Sequence, residues 1–295
     1  MKETVYNEVQ ERHNLVAAKM REVDDELIYT ALFGSQNYNL DMAGSDVDVH
    51  CMYAQHPSRI VTQSSVHYPL IEGDLAYEGH ADVKTVHDML LQYRKGNLNF
   101  LETLWTPYIA VTHGWEWFVH CLRTNRNLFL KDTHHLFVTW GGFVRQMIKR
   151  TTRREAVMLQ PKATTLTGWR EDLGYNPKAF ANALRIKETM IRFKMDEDFD
   201  RALWMGAYAD TLKEIKRGSL PLEEVEKQLI DLEAWLAKFL LAEDNEWKVE
   251  MEMKQKYDKI VVDTSVQDFC ESLEMEAFAK MWHKFEKPEG YLKFS

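Results

Sequence analysis

Two carboxylates flank one valine in Asp46-Val47-Asp48, at the head of an apolar run, and Gly34-Ser35 closes an earlier apolar run. In an extended strand, residues two apart point to the same side. Asp46 and Asp48 therefore project together and repel each other unless a cation lies between them. Magnesium suits such a pair, because it prefers oxygen ligands and often takes one or two carboxylates together with substrate phosphates. Two such ions, ~3.5–4 Å apart, can activate an attacking oxygen and stabilise a leaving one. Gly34 permits a sharp turn, and a helix starting near Gln36 would aim free N–H groups, with the Ser35 hydroxyl, at an anion. Acids on one strand beside a phosphate cradle on the next make a site for a nucleoside triphosphate. Each piece alone has an ordinary reading, since GS is usually a turn and D-x-D usually a solvated strand edge. Their order and spacing are the specific signal.

The elements that must position these residues can be read from periodicity. Val5, Val9, Val16, Met20 and Val23 predict an amphipathic helix over 3–23. "ELIYTALF" (26–33) reads as a strand punctuated by Gly34, followed by a short helix or turn over 36–40 and the loop "DMAGS". "DVDVHCMYA" (46–54) alternates acid and apolar residues as a strand with one polar face. "DLAYEGHAD" (74–82) is a third strand, and a helix follows with Asp82 as its N-cap and Gly96 as its end. Strands and helices mix to about residue 105, and beyond that the chain is helical. Leu222, Val225, Leu229, Leu232, Leu236 and Phe239 form a helical stripe, most simply the core face of a bundle. "KATTLTGWREDLGYNPKA" (162–179) reads as an internal loop, with Gly174 and Pro177 as breakers.

Bulk properties narrow the function. With 295 residues, 45% of them apolar, the chain can bury a full core without disulfide or metal staples. Its three cysteines are far apart and odd in number, which points to a reduced setting and away from a zinc site. No run approaches a membrane span and the first twenty residues lack a signal-peptide core, so the expected location is the cytoplasm. A net charge of −9 argues against a nucleic-acid coat protein, while leaving room for a nucleotide held through magnesium.

"LFGSQNYNLDMAGSDVDVHCMYA" resembles the signature of the DNA polymerase β-like nucleotidyltransferase superfamily. More narrowly, it is similar to a bacterial and phage branch with a GS-x-x-Y-x-L…SDxD pattern. "RKGNLNFLETLW" (94–105) resembles that branch's K-G-N-P-N-x-L-E-x-L, and "GYNPKAFANALRI" (174–186) its helical-domain stretch. The resemblance implies an α+β fold: a small mixed sheet with helices on one side, then an α-helical domain that completes the cleft. The expected division is 1–110 for the catalytic part and 111–295 for the helical part.

Carried over position by position, the resemblance makes Gly34, Ser35 and Ser45 nucleotide-binding, and Asp46 and Asp48 ligands of two magnesium or manganese ions. A third acid from a neighbouring strand is expected to act as a base or a further metal ligand. Asp74, Glu78 and Asp82 share one parity; Asp82 is taken as a cap and Asp74 opens its strand, so Glu78 is favoured. Lys95 and Asn97 could face the nucleotide, although a lysine in a last turn and an asparagine after a glycine cap are equally explained by helix termination. Lys178 and Arg185 lie seven apart on one helical face, where they could meet phosphates or simply be solvated. Leu98 stands where the branch has proline and Asn182 where it tends to have histidine.

"KRTTRR" (149–154) reads as a solvated helix face before an acceptor guide, and Trp105 and Trp140 as packing before base stacking. The expected activity is transfer of a nucleoside monophosphate from a nucleoside triphosphate, ATP or another, to an acceptor hydroxyl with release of pyrophosphate. The acceptor could be an RNA end, a protein or a small molecule, with no membrane partner. Two rivals stand beside it: a catalytically silent nucleotide-binding or antitoxin-like module of the same fold, and a two-metal nuclease or phosphohydrolase.

Overall fold

The computed structural model describes residues 2–62, 81–152, 168–256 and 265–286. The predicted first helix is α1, Glu3–Arg21, and the predicted first strand is β1, Glu26–Phe33. The second strand, β2, spans Asp48–Ala54, so Asp46 sits just before it rather than inside it. After the short α2 (Pro57–Thr62) comes β3, Ala81–Thr85, followed directly by α3, Val86–Arg94. Here the structure corrects the sequence reading. Asp82 is a strand residue, and the cap is Thr85, whose hydroxyl accepts the Asp88 N–H. A β-branched residue with a side-chain acceptor both ends a strand and caps a helix, which moved the boundary by three residues. Gly96 ends α3 as expected, at φ 65°, where an added Cβ would meet Leu136 Cδ2 at 2.6 Å.

The chain continues through α4 (Leu98–Leu101), β4 (Ile109–Val111) and α5 (Glu116–Thr124) to helices α6 (Thr133–Thr152) and α7 (Pro177–Lys194). Pro177, read as a loop breaker, is instead the first residue of α7. It follows Asn176, whose side chain accepts the Ala179 N–H. Proline costs nothing at that position because its missing N–H would have no partner in the first turn. Then come α8 (Phe199–Leu203), α9 (Tyr208–Arg217), α10 (Leu222–Lys256) and α11 (Ser265–Glu286). In α10 the predicted stripe is the core face: Val225, Leu229, Leu232 and Leu236 are buried, and Leu222 and Phe239 pack against them.

The fold is α+β, with the sheet in the N-terminal region and helices dominating the C-terminal one. The sheet is mixed, in the order β3-β2-β1-β4; β1 runs antiparallel to β2 and β4, and β2 runs parallel to β3. Side-chain alternation divides β2 cleanly. Val49, Cys51 and Tyr53 join Val5, Val9, Val16 and Met20 of α1 on one face. Met52 and Ala54 join the other cluster, which runs on through Tyr93, Trp140, Phe180 and Leu232 to Met281. Burying each such large side chain contributes roughly 1.5–3 kcal/mol. The α1 face is also pinned by polar groups. His13 bonds Thr30 and Thr112 through its two ring nitrogens, and burial pushes its imidazole down to about 4, so it is neutral. Among the described residues no helix is long and apolar enough to cross a membrane.

Candidate active site

The register of the β1–β2 hairpin explains why Gly34 and Asp48 meet in space although Asp46 lies eleven positions beyond Ser35. Phe33, the last residue of β1, pairs with Asp48, the first of β2. The intervening chain loops out and returns to the same end of the hairpin. A Cβ built on Gly34 would lie 3.7 Å from Asp48 Oδ2. Gly34 itself adopts φ 94° and ψ −156°, a conformation open essentially to glycine alone.

Val47 orients the two acids. Its side chain is buried on the α1 face, and its carbonyl accepts from Nη1 of the buried Arg12. With Val47 held inward, Asp46 and Asp48 both line a cavity of about 350 Å³ on the opposite side. Asp48 Oδ1 is buried there and has no hydrogen-bond partner. The loop before the acids is closed by Ser45, whose hydroxyl accepts the Met42 N–H and whose own N–H donates to the Met42 carbonyl. Ser45 thus lines the cavity and shapes its rim.

Beyond Gly34 the expected helix is a single 3-10 turn, Ser35–Tyr38. So short a turn has almost no macrodipole, and anion attraction here falls to side chains. Asn39 closes the turn at φ 64°, and Asn37 Nδ2 donates back to the Leu32 carbonyl. Tyr38 is buried, with the Arg185 guanidinium 4.0 Å from its ring centre.

Helices α7 and α9 form the facing wall. Lys178, Asn182 and Arg185, at helical spacing on α7, all line the cavity. Arg185 is 3% exposed, and its Nε and Nη1 have no hydrogen-bond partner. A buried guanidinium with unfilled donors costs several kcal/mol of lost hydration unless an anion replaces the water. Lys213 and Lys216 of α9 complete the wall. Burial lowers the Lys216 ammonium, with Lys178 and Lys213 adding to the effect and Asp41 and Asp46 opposing it. Neither α9 lysine was picked out from the sequence. Their signal was the i, i+3 spacing alongside the buried Ala209, Leu212 and Ile215, which looks like the rim of any buried helix face until α9 is placed.

The "RKGNLNF" segment is corrected by the structure. Lys95 and Asn97 lie outside the cavity, and Asn99 lies in it. The Lys95 carbonyl accepts from Thr139 Oγ1, the Gly96 carbonyl from Trp140 Nε1, and Asn97 Nδ2 donates to Gln92 Oε1. These residues dock the end of α3 onto α6. Trp140 is fully buried, a packing residue as expected; Trp105 packs on Phe199 with the Arg126 guanidinium over its ring, and it also lines a second cavity.

Glu78 and Asp74 lie outside the described residues. Asp82 stands opposite His50 on β3, on the acid-bearing face, with its Oδ2 3.3 Å from His50 Nδ1 and its Oδ1 3.0 Å from Lys84 Nζ. Burial alone would raise the Asp82 carboxyl, but His50 and Lys84 outweigh it and hold the group below its ordinary range. His50, stacked between Phe33 and Phe100, is lowered by burial against the pull of Asp82. Glu102, the glutamate of the 94–105 motif but not singled out there as a site residue, accepts the Gly34 N–H on its Oε1 at 2.9 Å. Burial pushes its carboxyl up to about 8, against the pull of Arg185, Tyr38, the Gly34 N–H and Asn37.

Among the described residues, no three His, Cys, Asp or Glu side chains form a ready-made metal cage. Two carboxylates with a spare buried oxygen nevertheless fit a hard cation that keeps its waters and shares substrate phosphates. No protein-family model matches this chain, and no curated protein gives a significant match.

Proposed function

We propose that the chain is a metal-dependent nucleotidyltransferase that moves a nucleoside monophosphate from a nucleoside triphosphate to an acceptor hydroxyl. The acceptor oxygen attacks the α-phosphorus, the bond to the bridging oxygen breaks, and pyrophosphate leaves with that electron pair. One observation carries this reading: a buried carboxylate oxygen of Asp48 and two buried guanidinium nitrogens of Arg185, all without hydrogen-bond partners, belong to residues lining one cavity beside a glycine turn. A cavity with unfilled negative and positive groups suits a ligand that brings both cation and anion, as a magnesium–triphosphate does.

Asp46 and Asp48 would hold magnesium or manganese, which when bound would offset charge on the attacking and leaving oxygens. Arg185 and Lys178 grip phosphate oxygens from across the cavity, while Lys213 and Lys216 supply screening charge. The Gly34-Ser35 turn brings backbone and hydroxyl close to the same phosphates. Such a site works by positioning and preorganised charge, with no covalent intermediate. A third acid takes the acceptor proton; Glu78 is the candidate from the resemblance, and Asp82, kept ionised by His50 and Lys84, is its rival. Residues 1–110 carry the acids and the turn, and 111–295 the cationic wall.

The test is a titration with each of the four ribonucleoside triphosphates, with and without magnesium, on wild type and Asp48→Asn, followed by pyrophosphate release over an acceptor screen. Magnesium-dependent binding that the substitution weakens, with turnover, is expected. Binding without pyrophosphate release for any acceptor would favour the silent-module reading. No binding of ribo- or deoxynucleotides would overturn the nucleotide site. Glu78→Gln, Asp74→Asn and Asp82→Asn compared side by side identify the third acid as the variant that keeps binding and loses turnover.

A further inference from the structure

The Gly34–Tyr38 turn is a thin partition. On one side lies the cavity holding Asp46, Asp48 and Arg185, and on the other a cavity of about 1040 Å³ whose wall includes Gln36, Asn37, Glu102 and Trp105. A turn with open space on both faces cannot be fixed by packing alone, so its hydrogen bonds must hold it. Gly34 is the weak point. It leaves the sheet immediately after Phe33, its N–H has no ladder partner, and its φ and ψ lie where the chain gains nothing by staying.

Glu102 supplies the missing acceptor. It follows α4, in the 3-10 turn Glu102–Leu104, and is 1% exposed. Its Oε1 takes the Gly34 N–H, and Oε2 is buried without a hydrogen-bond partner. A buried carboxyl is an expensive way to accept a backbone N–H, even with Tyr38, Asn37 and Arg185 close by, and one whose Oε2 makes no good hydrogen bond does not serve stability. What it gains is a fixed Gly34 peptide directly beside Asp48. The rest of the turn is tied by its own backbone, Asn37 N–H to the Gly34 carbonyl and Leu40 N–H to the Ser35 carbonyl, and by Asn37 Nδ2 to the Leu32 carbonyl and Thr106 Oγ1 to Asn37 Oδ1, none of which takes the Gly34 N–H.

We infer that Glu102 is a positioning residue which, by holding the Gly34 N–H from beneath, sets the Gly34-Ser35 turn for the phosphates of the bound nucleotide. This rests on the nucleotidyltransferase reading above. The role requires an acceptor of the right length and does not require charge, so Glu102→Gln should fulfil it and Glu102→Met, similar in shape but without an acceptor, should not.

The experiment compares wild type, Glu102→Gln, Glu102→Met and Asp48→Asn by magnesium–triphosphate titration, thermal melting and amide hydrogen exchange over residues 34–40. The Gln variant is expected to bind within about threefold of wild type and the Met variant at least about tenfold more weakly. The Met variant should melt no lower than wild type, because it no longer buries a carboxyl, yet exchange faster at the turn. That combination of weaker binding, faster local exchange and undiminished melting is one that a purely structural role would not produce. If Asp48→Asn loses binding while Glu102→Met keeps it, or if Gln and Met fall alike, Glu102 is not the positioning residue. If wild type binds no triphosphate, the nucleotide reading fails, and a turn that exchanges at the wild-type rate in Glu102→Met overturns the holding role as well.

Discussion

The two walls of the central cavity are built in different ways. The acid wall is a hairpin end: Phe33 pairs with Asp48, Val47 points into the α1 core, and the acids have nowhere to go but outward. The cationic wall comes from two helices distant in sequence, and Lys178, Arg185, Lys213 and Lys216 meet the acids only because α7 packs on α6 and α9 on α7. The first wall is set by local backbone geometry, the second by tertiary packing. Substitutions on the first should therefore act on the site with little change in fold, while those on the second should mix binding with stability.

The sharpest way to break this contrast is at Asp48. Asp48→Asn should weaken magnesium–triphosphate binding at least thirtyfold, ~2 kcal/mol, and abolish turnover, while thermal melting stays at or above the wild-type value. A lowered melting temperature with retained binding would reverse the assignment. Arg185→Gln should cost about tenfold in triphosphate affinity and should also lower the melting temperature, since the guanidinium covers the Tyr38 ring. Gly34→Ala sits on the acid wall but changes backbone, so it is the exception that sharpens the rule. Forcing a side chain into φ 94° should cost ~1–3 kcal/mol of stability in chemical denaturation.

Glu102 supplies a pH test that bridges the two walls. Its carboxyl rises from 4.5 in the unfolded chain to about 8 in the fold, facing Tyr38, Arg185, the Gly34 N–H and Asn37. The folded protein therefore holds a proton that the unfolded chain releases. The stabilisation linked to that proton is complete below pH 4.5 and is lost as pH rises through 8. Wild-type stability should fall relative to Glu102→Gln between those limits, by up to about 1.4 kcal/mol per pH unit. Parallel pH profiles for the two proteins would show that the carboxyl titrates normally. The smallest effects are expected from Lys213→Ala, about two- to fivefold in affinity and diminished by salt, and from Lys95→Ala, none.

The hairpin wall was legible in the sequence because its signals are local. Alternation of apolar and acid residues fixes which way Asp46 and Asp48 face, and a glycine at a strand end marks a turn. The helical wall was half legible. Spacing placed Lys178 and Arg185 on one face of α7, but only packing shows that this face meets the acids and that Lys213 and Lys216 join it. Lys95 and Asn97 misled because a motif read along the chain does not say which of its polar residues faces inward. Lys95 and Asn97 terminate a helix, while Asn99, two residues on, reaches the cavity. Glu102 stands in that same 94–105 motif, but a single glutamate carries no periodic signal, and its burial and its bond to a residue 68 positions away are purely tertiary facts. Asp82 was misplaced by three residues because a strand runs straight into a helix there.

Tyr38 ties the two walls together more tightly than their separate origins suggest. Its ring lies under Arg185 of the helical part, its carbonyl accepts the Met205 N–H, and it belongs to the turn that follows β1. The same apolar cluster runs from Ile28 to Met281 without a break. The consequence concerns cooperativity. A chain cut after residue 110 would strip the cover from Tyr38 and expose the sheet face that Trp140 and Phe180 help to close. The smallest fragment that keeps the cavity whole is then nearly the whole chain, and its two halves should melt in a single step.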